Sequence, residues 1–119
     1  MAEAEPVNRA AFEALVQEIG DDPAFVADVV ESYVHNARQL VEGMREAVRK
    51  GEPADLAPLA HELKSTSAGL GADHLAALCS DLEASARTES LDGADERVAE
   101  IETQAIRAQA ALRDLADRH

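Results

Sequence analysis

Apolar residues recur along this chain at helical rather than strand spacing. Phe12, Leu15, Val16 and Ile19 share one face of a segment covering about residues 8–19. Gly20-Asp21-Asp22-Pro23 follows, in which glycine ends one helix, Asp22 caps the next and Pro23 fills its first position. A long helix is predicted over residues 23–50, where Val26, Val30, Tyr33, Ala37, Leu40, Met44 and Ala47 recur in alternating steps of four and three, the spacing of a bundle seam. Arg49, Lys50 and Gly51 close it, cations at the negative end of the dipole and then glycine. In the third segment Asp55 reads as the N-cap, which puts Pro58 at the third helical position, where no intrahelical N–H is needed. That helix runs to about Leu70, with Gly69 and Gly71 marking its end. A fourth covers about residues 72–88 with Leu75, Leu78, Cys79, Leu82 and Ala86 inward, and Ser90-Leu91-Asp92-Gly93 turns the chain. A fifth covers about residues 94–117 with Val98, Ile101, Ala105, Ala108, Leu112 and Leu115 on its seam. No stretch alternates with period two over the length of a strand. Short connections between long helices favour antiparallel neighbours. The fold expected is therefore all-α: an up-and-down antiparallel four-helix bundle with a short additional N-terminal helix.

Composition sharpens this picture. The chain has 119 residues, the size of one domain, and a single free-standing domain over 1–119 with frayed extreme termini is expected. Hydrophobic residues reach 46% while aromatics are only 3%, a core of Ala, Leu and Val that suits close-packed helices. Asp and Glu number 24 against 11 Lys and Arg, for a formal net charge of −13. Such a surface repels phosphate backbones and anionic lipid, which argues against nucleic-acid or membrane partners. The chain is too short to hold both an ATP-binding domain and a catalytic scaffold, so a self-sufficient kinase is excluded. One cysteine, Cys79, rules out an internal disulfide and fits a reducing compartment. With neither a 20-residue apolar run nor a basic-then-apolar leader, a cytoplasmic location is expected.

Candidate chemistry concentrates on the third helix. On a wheel of ~100° per residue, Leu56, Leu59, Ala60, Leu63, Ser67 and Leu70 form the inward stripe and His61 falls roughly 140° away from Leu56. Its neighbours on the outer face are Ala57, Lys64, Ser65 and Ala68. Three of these are small, so the imidazole stands open to a bulky partner. Lys64, one turn away, can reach an anion attached to the ring. An exposed imidazole titrates near ~6.5, is substantially neutral at cytoplasmic pH and can act as a nucleophile. No carboxylate is visibly arranged as its base, and an activated acyl phosphate donor requires none. On these residues alone, an ordinary surface histidine and a phosphoryl-accepting one both stand.

The run Ala60-His61-Glu62-Leu63-Lys64-Ser65-Thr66-Ser67-Ala68-Gly69-Leu70-Gly71-Ala72, followed by Leu75, Cys79, Leu82, Glu83 and Arg87, resembles the signature of the histidine-containing phosphotransfer (HPt) domains, the intermediates of multistep His–Asp phosphorelays. The likeness extends over nearly the whole chain. It implies that His61 is the phosphoryl acceptor, that Lys64 steadies the phosphoryl group, and that Gly71 is the break between the two central helices. One departure stands out: Ser65 occupies a position where the family often has glycine, adding a hydroxyl beside the ring. The resemblance also implies partners, namely response-regulator receiver domains, a hybrid sensor histidine kinase, or both. Ala57, Ser65, Ala68, Ala76, Ser80 and Arg87 are the expected partner-binding residues. Glu83 shares an outer face with Ala76, Ser80 and Arg87 but has the wrong charge for phosphate, which leaves Arg87 to serve docking. No cofactor is expected in this chain, and Mg²⁺ comes from the receiver.

Other features take blander readings. His35 and His74 lack a ligand partner at spacing three, and the Glu-x-x-His pattern of di-metal bundles is absent, so no metal site is expected. Terminal His119 is expected to fray. Cys79 lies on the inner stripe as an inert thiol, and Tyr33 sits on the seam with its hydroxyl at the margin. The acidic start of the last helix is a solvated face favoured by the dipole. Two other classes compete with the phosphotransfer reading: a non-catalytic adaptor or inhibitor that docks receivers or kinases, and a dimerising four-helix module in which His61 is a kinase substrate. Four long helices in one chain already close a bundle, which predicts a monomer.

Overall fold

The computed structural model describes residues 5–119. Helices α1 (Arg9–Glu18), α2 (Pro23–Lys50), α3 (Pro53–Gly69), α4 (Asp73–Arg87) and α5 (Ala94–Asp117) make up the fold, and no strand occurs among the described residues. At ~1.5 Å per residue the 28 residues of α2 reach about as far as the 43 Å long axis of the molecule. The other helices pack around it in a closed cycle, α2 on α3, α3 on α4, α4 on α5 and α5 back on α2. Leu56, Leu63, Leu75, Leu82, Ile101, Leu112 and Met44 fill the shared interior.

Local chemistry fixes the ends. Asn8 caps α1, its side chain accepting from the Ala11 amide at 3.2 Å. Asp22 caps α2, accepting from the Ala24 and Phe25 amides at 3.0 and 3.4 Å, with Pro23 at the first position. Gly51 ends α2 in the left-handed conformation, φ +70°. The third helix differs from expectation. It begins at Pro53, not after Asp55, because proline itself is favoured at the first helical position. Pro58 therefore lies inside the helix, where its missing N–H leaves the carbonyl of Ala54 unbonded within the helix. Ala54 is exposed, so water can serve that carbonyl.

Gly71 determines how α1 meets the bundle. Its φ is +86°, and a Cβ there would lie 2.8 Å from the carbonyl oxygen of Asn8. Across the same contact the Asn8 amide donates to the Gly71 carbonyl at 2.8 Å. Only glycine allows both the left-handed turn and this approach. With Val7, Phe12 and Val16 buried, α1 lies against the α3–α4 turn. The expected fraying of the chain ends is corrected at one end, and at the other residues 1–4 lie outside the described residues. His119 is tied down, with Nε2 3.1 Å from Glu13 Oε1, Nδ1 3.3 Å from Asp21 Oδ1, and its ring 6.3 Å from that of Phe12.

Tyr33 also departs from expectation. Its hydroxyl is inside rather than at the margin, 2.7 Å from Ser67 Oγ, and Ser67 is fully buried. This bond links α2 to the inward face of α3 and so fixes which face of α3 is left outside.

Candidate functional site

The outward face of α3 carries His61, whose side chain is 53% exposed. The flank of α3 between this face and the core stripe is covered by α4. Lys64 sits on that flank, one-third exposed, and meets Glu83, whose side chain is only 9% exposed.

Glu83 is the centre of the site. His61 Nδ1 lies 3.0 Å from its Oε2. Arg87 approaches the same oxygen, with Nε at 2.8 Å and the terminal nitrogen at 2.6 Å. Lys64 Nζ donates to Oε1 at 2.8 Å. The ammonium of Lys64 first, then the Arg87 guanidinium and the His61 ring, pull the Glu83 carboxyl down to about 2 against the opposing effect of burial. It is therefore ionised at any working pH, and an ionised carboxylate can only accept. His61 must accordingly carry its proton on Nδ1, and the lone pair of the neutral ring is on Nε2, away from Glu83.

This geometry corrects three expectations. A carboxylate is after all arranged on the imidazole, and it comes from the next helix. Glu83 faces the α3–α4 seam rather than the outer face. Ala57 and Ala76 are buried, at 5% and 9% exposure, because α3 and α4 close over those flanks, so neither forms part of an open collar. Ser65, Ala68, Ser80 and Arg87 are exposed as expected. Arg87 also binds Glu83, the carboxylate that holds His61. The helical wheel held a signal for Glu83: it lies about 40° from the inward Cys79 and one turn before Arg87.

Away from this cluster, an open groove of about 440 Å³ runs between α1, α2 and α3, lined by Leu15, Val29, Ser32, Thr66 and Gly69 among others. Phe25, near the start of α2, is 48% exposed. Cys79 is buried and its thiol is pushed up to about 12 by burial, which makes it unreactive. Among the described residues no group of three or more His, Cys, Asp or Glu side chains is placed to hold a metal ion. None of the described helices is long and apolar enough to cross a membrane.

Comparison with known proteins bears on this site. Residues 28–117 match the family model described as the Hpt domain. Among solved structures the chain is similar to histidine-containing phosphotransfer protein B (HptB) from Pseudomonas aeruginosa PAO1. The TM-score is 0.87 at 22% identity, over 98% of this chain and 99% of that one. At that identity the likeness speaks for the fold alone. No curated protein matches the chain.

Proposed function

The chain belongs to the Hpt domain family, and from that premise we propose that it accepts a phosphoryl group on His61 from the aspartyl phosphate of one receiver domain and passes it to the aspartate of another. The observation that carries this reading is the polarised imidazole: Nδ1–H held by Glu83 at 3.0 Å, with the His61 side chain half exposed and two cations gathered on the same carboxylate. In the transfer, the Nε2 lone pair forms a bond to phosphorus as the phosphorus–oxygen bond to the aspartate breaks. The carboxylate of the donor leaves with the electron pair. The ring proton stays on Nδ1, and the positive charge that develops on the ring faces the Glu83 carboxylate, as an orienting carboxylate does in a hydrolase triad. Reversal of these steps delivers the group to the second receiver. The chemistry depends mostly on positioning, and Mg²⁺ belongs to the acidic pocket of the receiver.

The docking surface centres on His61 and uses the exposed Ser65, Ala68, Ser80 and Arg87, a small-residue centre with a polar rim. Lys64, bound to Glu83 at rest, offers the arriving phosphoryl group partial counter-charge. In this reading the protein works as a cytoplasmic monomer. The test mixes wild type and His61→Gln with a ³²P-labelled receiver domain. Acid-labile, base-stable label on wild type and none on a folded His61→Gln variant is the expected result. Equal labelling of both would overturn the assignment of His61, and binding without labelling would turn the protein into a docking adaptor.

A further inference from the structure

Glu83 does more in this geometry than orient a ring. Lys64 and Arg87 share the Glu83 carboxylate with His61, and in the resting protein both are bound to it. The carboxylate is shielded by the α3–α4 seam and takes hydrogen bonds on both oxygens. A phosphoryl group must therefore compete with Glu83 for its own counter-ions.

We propose that Glu83 is a positioning residue that keeps the phosphohistidine short-lived and ready to transfer, by withholding Lys64 and Arg87 from the phosphoryl group and by holding the proton on Nδ1. This rests on His61 being the acceptor. Two effects act in the same direction. First, the cations that would stabilise the phosphorylated form stay partly committed to Glu83, whose own negative charge also repels the phosphoryl oxygens. Second, the retained Nδ1 proton means that when the nitrogen–phosphorus bond breaks, the electron pair returns to Nε2 and the ring leaves as neutral imidazole. An unprotonated ring would have to leave as an anion. In hydrolysis, water supplies the oxygen that replaces nitrogen on phosphorus; in relay, the receiver aspartate does. A neutral amide at position 83 could still accept from Nδ1–H but would hold neither cation by charge. Loss of a charge interaction equivalent to about one pKa unit corresponds to about tenfold in rate.

The test labels wild type and Glu83→Gln with phosphoramidate, a small donor that needs no receiver, and follows decay of the phosphohistidine by ³¹P NMR at neutral pH. Decay about tenfold slower in Glu83→Gln is expected, and equal or faster decay in a variant of unchanged helicity overturns the proposal. A wild-type readout guards against a variant that does not fold. The ¹⁵N resonance of Lys64 Nζ should stay near its resting position on phosphorylation because the ammonium remains on Glu83, and a large displacement, as for an ammonium transferred to the phosphoryl group, overturns the proposal as well. Failure of receivers to label wild type would instead strike at the relay reading, because the phosphoramidate comparison does not depend on them.

Discussion

Removing the Ser67 hydroxyl should cost more stability than removing that of Tyr33, although the two form a single bond. They meet at 2.7 Å in the interior, with Tyr33 6% and Ser67 0% exposed. Burial raises the pKa of the Tyr33 phenol, opposed by the Ser67 hydrogen bond, so it stays protonated. A buried hydroxyl left without a partner costs about 1–3 kcal/mol. In Tyr33→Phe the stranded group is a helical serine, which can turn back to the carbonyl one turn earlier, so the loss should sit at the low end, about 1 kcal/mol. In Ser67→Ala the stranded group is a phenol with no such alternative. That loss is about 2 kcal/mol, offset by about 0.5 kcal/mol of helix propensity gained by alanine. For a chain of this size each kcal/mol lowers Tm by about 4 °C, so falls of about 4 and 6 °C are expected. The double variant strands nothing and should be no worse than about 1 kcal/mol, well short of the sum of the singles. Urea unfolding of the four proteins measures this directly. Strict additivity, or a Tyr33→Phe variant indistinguishable from wild type, would refute the idea that this bond fixes the rotation of α3.

Other expectations follow from the ends of the bundle. Gly71→Ala must place a Cβ 2.8 Å from the Asn8 carbonyl at φ +86°, a backbone strain of about 1–2 kcal/mol before the clash is counted. It should release α1, seen as faster hydrogen exchange over residues 9–18, and unchanged protection there would remove the role given to Gly71. His119 has its pKa raised, chiefly by the hydrogen bond its ring donates to the Glu13 carboxylate. Its contribution is thus full below the unfolded value near ~6.5 and is lost as pH rises through the higher folded value. Tm should fall across that window in wild type, and His119→Ala should flatten the fall; the same slope in both would contradict the clasp.

Most of the fold was legible because each local rule agreed with its neighbours. Asp22-Pro23 marked the start of α2, Gly51 its end, and the seam of α5 carried its register without interruption. The start of α3 is ambiguous in the sequence because two prolines lie five residues apart. Pro58 as the constraint puts the cap at Asp55, whereas Pro53 at the first position and an exposed Ala54 carbonyl let the helix accommodate both. His61 was legible as an outward residue on an otherwise small-residue face. Glu83 was not, because a wheel ranks residues by their own helix, and a carboxylate at the edge of the inward stripe is ordinarily turned out to solvent. Only the approach of α3, bringing Lys64 and His61 against it, makes the buried position favourable. His119 was missed for a similar reason: its partners Glu13 and Asp21 are a hundred residues away in sequence and reach it only through the packing of α1.

The polarity of the imidazole can be read directly from where the phosphoryl group attaches. Wild type charged by a phosphorylated receiver, with ¹⁵N-labelled histidine, should show the ³¹P–¹⁵N coupling at Nε2 of His61, with the proton still on Nδ1. Coupling at Nδ1, or label on another residue, would contradict the role assigned to His61 and to the carboxylate that orients it.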